Sequence, residues 1–167
     1  VLVRVSGEGK AAVVFITSDG FFNNPDKICR MLRETFPSVT GIFQNIQKEE
    51  TSVVLGKEWK KLWGSPNVEE RVGKLRFSVS PGAFLQVNTS AAEVLYSTVS
   101  ALLKEGRPVQ HAVDLYSGVG TIALWIAPMF ERVLGIEENP SAVTCARNNA
   151  ALNGISRDLR EEYIMQT

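Results

Sequence analysis

The sequence predicts an α/β chain made of two units: an α+β unit over residues 1–80 and a partial parallel-sheet unit over residues 81–167. Two observations predict this fold class. After about residue 80, short apolar strands alternate with helical patterns, which is typical of a parallel sheet in an open α/β fold. Before that point, hairpin-like segments flank a single helix, which predicts a mixed unit with an antiparallel sheet.

The N-terminal unit begins with an interrupted run of alternating residues. Val1–Ser18 breaks at Ser6–Gly9, which predicts a β-hairpin. Asn24 followed by Pro25 predicts a helix start, because proline is favoured in the first helical turn. Pro37 predicts the end of that helix. The remaining predicted strands of this unit are Thr40–Ile46 and Thr51–Leu55.

The second unit is predicted to alternate strands with helices. Just before the boundary, a strand at Leu75–Val79 precedes a helix that Thr89 or Ser90 caps and that continues to about Leu103. Two further strand–helix pairs follow, and a glycine-containing loop joins the first of these strands to its helix. The later elements are a strand at Ala112–Tyr116, a helix at about Gly120–Phe130, a strand at Arg132–Glu137 and a helix from Asn139 to Gly154.

The tail, residues 155–167, is polar and helix-compatible, so we predict only two parallel strands. A two-stranded parallel sheet leaves apolar residues without neighbours on one side. Val113, Leu115, Val133 and Ile136 are the residues concerned. We therefore expect the open side to pack against a second copy or against further sequence.

Composition limits the possible settings of the chain. Its 18 basic and 18 acidic residues predict no strong overall field for a polyanion. No apolar run is long enough for a bilayer, and the start shows neither a leader pattern nor Met. Cys29 and Cys145 match no metal or disulfide pattern, which indicates a reducing, intracellular compartment: most simply the cytoplasm, or the nucleus or mitochondrion in a eukaryote. We expect no metal site and no membrane contact.

The most informative stretch is an apolar strand that runs into a loop with two glycines. Gly118 and Gly120 follow the strand ending near Tyr116. In open α/β sheets ligands bind at such strand ends, and glycine lets the backbone approach them closely. Glu137 ends the next strand, where a carboxylate can accept hydrogen bonds from ribose hydroxyls. The spacing is typical of a site for a nucleoside-containing cofactor.

Asp114 distinguishes between the cofactors that fit this loop. The run from Gly118 to Ala123 also fits the dinucleotide pattern, so an NAD site is one alternative. An acidic side chain at the strand end would repel a pyrophosphate, whereas it would attract the ammonium and sulfonium of S-adenosylmethionine. Electrostatics therefore favours S-adenosylmethionine. The remaining alternative is that the two glycines only make a tight turn.

Longer motifs resemble those of the RNA (uracil-5-)-methyltransferases. The block Phe77–Asn88, with the pattern F-x-x-S-P-x-x-F-x-Q-V-N, resembles that family together with Asp114–Thr121. The similarity covers most of residues 1–154 and implies a central α+β domain followed by part of a Rossmann-like, S-adenosylmethionine-binding domain. Supporting segments are Ile42–Ile46, Leu62–Gly64, Gly135–Glu137 and Ala146–Gly154.

The resemblance implies which residues hold the cofactor. Gln86, Tyr116, Thr121 and Glu137 would line the S-adenosylmethionine pocket. Thr121 and Ser117 stand where relatives often have Asn and Cys. Phe84 either stacks on a base of the RNA substrate, tRNA or rRNA, or belongs to the core. With Asp114, Gly118 and Gly120 from the loop, these residues form the predicted cofactor-binding set.

The resemblance implies a cysteine nucleophile, but neither cysteine in this chain occupies that place. Cys29 lies in the other unit, and Cys145 has the pattern of a small buried helix residue. His111 is expected at the surface. We therefore assign no catalytic residue here and expect the chain alone to be inactive. An alternative is a non-catalytic module that binds RNA or a partner through the stretch Lys57–Arg76, or an ordinary solvated face there.

Overall fold

A computed structural model describes residues 1–106 and 108–155, and the backbone alone of residues 159–162. The described residues contain four α-helices and nine strands. The strands form a four-stranded, a two-stranded and a three-stranded sheet. The chain divides into two compact units. One comprises residues 1–69 and 80–82, and the other residues 70–79 and 83–167.

The first unit contains a mixed four-stranded sheet in the order β1-β2-β3-β4. The predicted hairpin is present, since β1 and β2 pair antiparallel. β2 and β3, however, are parallel, so the prediction of an antiparallel sheet was wrong for this pair. The helix α1 connects them, as parallel neighbours require a crossover. The elements are β1 Leu2–Val5, β2 Ala11–Thr17, α1 Pro25–Thr35, β3 Val39–Ile46 and β4 Glu58–Gly64.

The strand predicted at Thr51–Leu55 is absent, and β4 follows later in the chain. The buried side chain of Asn45 holds the intervening loop at Gly56, donating to its carbonyl at 2.8 Å and accepting from its N–H at 2.7 Å. β4 lies at the edge of the sheet and is largely exposed. Because an edge strand tolerates charged residues, its composition gave no strand signal.

The second unit contains the hairpin strands β5 and β6 and the three-stranded parallel sheet β7-β8-β9. Its main core joins Val72 and Phe77 to Tyr96, Val119 and Leu124. The elements are β5 Val68–Val72, β6 Leu75–Val79, α2 Thr89–Glu105, β7 His111–Leu115, α3 Thr121–Ile126, a 3-10 turn Ala127–Met129, β8 Arg132–Ile136, α4 Pro140–Leu152 and β9 Leu159–Glu162.

The structure corrects two local predictions in this unit. The N-cap of α2 is Asn88, which accepts a hydrogen bond from the N–H of Ala91 at 3.0 Å, rather than Thr89 or Ser90. The helix α3 ends at Ile126 because Pro128 has no N–H to donate. β6 packs on α4, which places residues 70–79 in the second compact unit.

The polar tail contains a strand, which was predicted absent. β9 pairs parallel with β8, so Val133 and Ile136 have neighbours on both sides. Charged residues are tolerated because β9 is an edge strand. Val113 and Leu115 on β7 do stay exposed, at 58% and 63%. Residues 156–158 and 163–167 of the predicted tail lie outside the described residues.

Candidate functional site

The loop between β7 and α3 is held by backbone hydrogen bonds. Ser117 N–H donates to the carbonyl of Ile136 at 3.0 Å, which extends the pairing of β7 with β8. Gly120 N–H donates to the carbonyl of Ser117 at 2.9 Å and closes the turn. Ser117 is buried, which suits the small side chain that stands there.

Gly118 and Gly120 serve different purposes in this loop. Both have positive φ, +57° and +83°, which favours glycine. A Cβ at Gly120 would lie 3.2 Å from Cβ of Ala146, so the loop packs tightly on α4. A Cβ at Gly118 would meet nothing within 4 Å, so open space adjoins the loop there. The bare backbone at Gly118 is therefore accessible to a ligand.

Glu137 lies directly beside this loop, as its position at the end of β8 predicts. Oε2 accepts a hydrogen bond from the N–H of Gly118 at 2.8 Å, and Oε1 accepts one from the N–H of Asn139 at 2.9 Å. Asn139 in turn caps α4 by accepting from Ser141 N–H and Ala142 N–H. One carboxylate thus ties the glycine loop to the start of α4.

Asp114 is the second acidic group next to the loop. Its Oδ2 accepts a hydrogen bond from the N–H of Ala123, in the first turn of α3, at 3.0 Å. Burial raises the pKa of this carboxyl above its ordinary value, and the Ala123 bond opposes the rise. A negative charge at this position is therefore costly without a cation nearby.

The other predicted residues belong to the same unit but are less tightly held. Tyr116 is 87% exposed and has φ +60°, unusual for a residue with a side chain. Thr121 is the first residue of α3 and is partly buried. Gln86 is exposed on the segment between β6 and α2, and among the described residues no hydrogen bond joins it to the loop. Among the predicted residues, a hydrogen bond links Gly118 to Glu137, and Asp114 is bonded to Ala123 of α3.

Two further predictions concern individual side chains. Phe84 is 74% exposed, so its alternative interpretation as a core residue was wrong. Cys145 is buried in α4 and His111 is exposed, both as predicted. Burial also raises the pKa of the Cys29 thiol, with a smaller contribution from Asp26. The setting of Cys29 therefore disfavours a reactive thiolate.

Two asparagines at the C-terminal end of α4, Asn149 within the helix and its C-cap Asn153, were not predicted as functional from the sequence. Asn149 is fully buried and bonds to the backbone of Ser78 and Val119. Asn153 bonds to both backbone groups of Arg76, at 3.0 and 2.7 Å. The available signal was their four-residue spacing, which places both on one side of a helix.

The fold defines a class of protein. A solved structure from Pyrococcus abyssi, a tRNA (uracil-54, C5)-methyltransferase in complex with S-adenosyl-L-homocysteine, superposes with a TM-score of 0.74 and 23% identity. The match covers 96% of this chain and 37% of that one. The chain therefore has the Rossmann-like fold of S-adenosylmethionine-dependent methyltransferases, as the resemblance implied.

Sequence comparison identifies the relatives. A protein of Oceanobacillus iheyensis described as an uncharacterised RNA methyltransferase is 37% identical over 93% of this chain and 34% of its own length. An Enterococcus faecalis protein of the same description is 39% identical over the same shares. Residues 109–163 also match a family described as RNA cap guanine-N2 methyltransferase. The chain is thus a homologue of RNA methyltransferases and spans about a third of their length.

No described helix combines the length and apolar character needed to cross a membrane. Within the same part of the chain, no three His, Cys, Asp or Glu side chains are grouped so that they could hold a metal ion.

Proposed function

We propose that this chain provides the S-adenosylmethionine-binding part of an enzyme that methylates C5 of uridine in RNA, either tRNA or rRNA. The observation that carries the proposal is the bond from Gly118 N–H to Glu137 Oε2 at 2.8 Å. It places a carboxylate and an accessible glycine backbone side by side at the end of two parallel strands. Such strand ends bind nucleoside-containing cofactors in open α/β sheets.

The residues present fit this cofactor. Each oxygen of Glu137 accepts one backbone bond and keeps a further lone pair, which leaves capacity for two ribose hydroxyls. Asp114 offers a carboxylate to the cationic part of the molecule, and a cation beside it would offset the burial that raises the pKa of this carboxyl. The exposed ring of Tyr116 supplies a flat apolar surface beside the loop. Thr121 and Gln86 would add hydrogen bonds to the polar groups.

S-adenosylmethionine supplies an electrophilic methyl group when it is bound. This chain's residues would hold and orient the donor and would leave the activation of the base to other residues. Neither buried cysteine suits a nucleophile, so no catalytic residue is assigned to the described part of the chain. We accordingly expect cofactor binding without methyl transfer from this chain alone.

Three observations support uridine C5 as the target. The block Phe77–Asn88 resembles the uracil-5 enzymes and lies outside residues 109–163, the part that matches the guanine-N2 family. The Pyrococcus abyssi neighbour acts on uracil-54 of tRNA. Phe84, at 74% exposure, is available to stack on an unstacked base, and such stacking is common in RNA recognition.

The first test is calorimetric titration of the chain with S-adenosylhomocysteine and, separately, with NAD. We expect micromolar binding of S-adenosylhomocysteine only, and its loss in Asp114→Ala and Glu137→Ala. Glu138→Ala, which removes the exposed neighbour of Glu137, is the matched control and should bind normally. Binding of NAD instead, or equal binding by all variants, would contradict the proposal.

The target base needs a separate experiment. The chain can be fused to the part of the Oceanobacillus iheyensis relative that follows the aligned region, and RNA treated with the fusion can be digested to nucleosides. We expect 5-methyluridine by mass spectrometry. N2-methylguanosine would favour the chemistry named by the matched family.

A second candidate function is an RNA- or partner-binding module without catalysis. On the exposed strand β4, Lys60 and Lys61 accompany Trp59, which is 38% exposed. The structure divides the predicted basic stretch, however, because Lys57, Lys60 and Lys61 belong to one unit and Arg71, Lys74 and Arg76 to the other. Reversing the charges of Lys57, Lys60 and Lys61 should abolish RNA retention in a gel-shift assay if this function holds, and unchanged retention would exclude it.

A further inference from the structure

Asn149 is a fully buried polar side chain whose two ends contact different parts of the second unit. Its Oδ1 accepts a hydrogen bond from the N–H of Ser78 on β6 at 2.7 Å. Its Nδ2 donates to the carbonyl of Val119 in the glycine loop at 3.1 Å. Both partners are backbone groups, so the side chain of Asn149 fixes the position of the main chain at Ser78 and Val119.

The two contacted stretches are the ones that carry the candidate site. Val119 lies between Gly118 and Gly120, the two glycines of the loop. Ser78 lies in β6, the strand that leads into the segment bearing Gln86. From the opposite direction, Glu137 holds the same loop through the N–H of Gly118. The loop is therefore fixed from α4 by one amide and from the end of β8 by one carboxylate.

We propose that Asn149 is a positioning residue for the cofactor: it sets the glycine loop and the strand leading to Gln86 in the arrangement that binds S-adenosylmethionine. The inference rests on the proposed function. Asn149 acts through Val119 and Ser78 and has no contact with the cofactor itself. A buried amide is suited to this task because leaving either backbone group unpaired in the core carries a large desolvation penalty.

Asn153, the C-cap of α4, provides a comparison variant. It lies one turn beyond Asn149 and bonds to the N–H and carbonyl of Arg76, on the same strand β6, and its Nδ2 also donates to the backbone carbonyl of Asn149 at 2.8 Å. It has no hydrogen bond to the glycine loop among the described residues. Asn153→Ala therefore loosens the helix from the strand, whereas Asn149→Ala also releases the loop.

The decisive measurement is the affinity of the chain for S-adenosylhomocysteine, compared with its unfolding midpoint in urea. We expect Asn149→Ala to weaken binding by about tenfold, which corresponds to the loss of one buried hydrogen bond. Asn153→Ala should lower the midpoint comparably and leave affinity within about twofold, since its bonds do not reach the loop. Equal weakening in both variants would overturn the proposal, because a general loss of stability would then explain the result.

Asn149→Asp adds a test that a purely structural role would not pass. The introduced carboxyl can still accept from Ser78 N–H, but it can donate to the Val119 carbonyl only when it is protonated. Burial raises the pKa of such a group, so lowering the pH from about 7.5 to about 5.5 should restore binding. Asp114, Glu137 and Cys145 are present in both proteins, so the quantity compared is the ratio of variant to wild-type affinity. A ratio that does not change with pH would contradict the assigned donor.

Hydrogen exchange separates failure of this inference from failure of the proposed function. If the wild-type chain does not bind S-adenosylhomocysteine, the proposed function is wrong for this chain. The positioning role is then judged by amide exchange of residues 115–123 without ligand. Faster exchange there in Asn149→Ala than in Asn153→Ala would support it, and identical exchange would overturn it.

Discussion

Glu137 and Gly118 are nineteen residues apart in the sequence, yet the carboxylate of one accepts the N–H of the other at 2.8 Å. The second oxygen of Glu137 accepts the N–H of Asn139 at 2.9 Å. A residue expected to contact the cofactor is therefore also part of the support of the loop. Its substitution should affect binding through both roles.

Glu137→Gln tests these two roles together. An amide has one acceptor oxygen, so one of the two backbone N–H groups loses its partner while side-chain size is kept. We expect affinity for S-adenosylhomocysteine to fall about tenfold or more, since bonds to a charged group are worth about 1.5–3 kcal/mol. Isothermal titration of Glu137→Gln beside Glu138→Gln measures the effect. A normal affinity in Glu137→Gln would exclude the ribose-binding role.

Asp114→Asn should separate stability from binding. The folded-state pKa of Asp114 is raised by burial, so its ionisation destabilises the fold, and stability falls as pH rises from the ordinary carboxyl value through the folded one. Asparagine keeps the acceptor for Ala123 N–H and carries no charge. We expect the variant to be at least as stable as wild type near neutral pH and to bind the cationic cofactor more weakly.

Urea unfolding of both proteins over a series of pH values checks the Asp114 prediction. The wild-type free energy of unfolding should approach that of Asp114→Asn as the solution becomes acidic, because Asp114 is then protonated. A constant difference between the two proteins at all pH values would show that its ionisation is not linked to folding.

Tyr116 combines an exposed ring with a left-handed backbone, φ +60°. Both Tyr116→Ala and Tyr116→Gly remove the ring and should weaken S-adenosylhomocysteine binding severalfold to a similar extent. The two should differ in stability, since a left-handed residue with a Cβ costs roughly 1–2 kcal/mol that glycine avoids. Chemical unfolding should therefore find Tyr116→Gly the more stable. A more stable Tyr116→Ala would contradict the backbone conformation.

The exposed side chains of Val113 and Leu115 predict association of the second unit with another copy. They lie on one face of β7 at 58% and 63% exposure, whereas Val133 on the other face of the sheet is fully buried. We expect concentration-dependent self-association in sedimentation velocity, reduced in Leu115→Lys. His111→Lys, on the same strand and already polar, is the control. A wild-type chain that stays monomeric at high concentration would refute this expectation.

The glycine loop and its acidic neighbours could be predicted because their signals are local. Positive φ at Gly118 and Gly120 favours glycine. Asp114 lies one residue before the end of β7, and Glu137 directly follows β8, so their positions can be read from the two predicted strands. The strand β9 could not be predicted in this way. Its residues are charged, and only pairing with β8 makes them a strand.

The sequence by itself determined the α/β class, a helix beginning at Asn139, and the loop chemistry that favours S-adenosylmethionine. Each of these features depends on residue types a few positions apart, and such local preferences act whatever the tertiary structure around them. The tertiary structure alone decided that β2 and β3 are parallel. It also decided that Asn45 forms hydrogen bonds with the backbone of Gly56 and that Asn149 joins β6 to the glycine loop. These contacts join residues distant in sequence, and a buried amide finds its partners only once the backbone groups around it have lost their water.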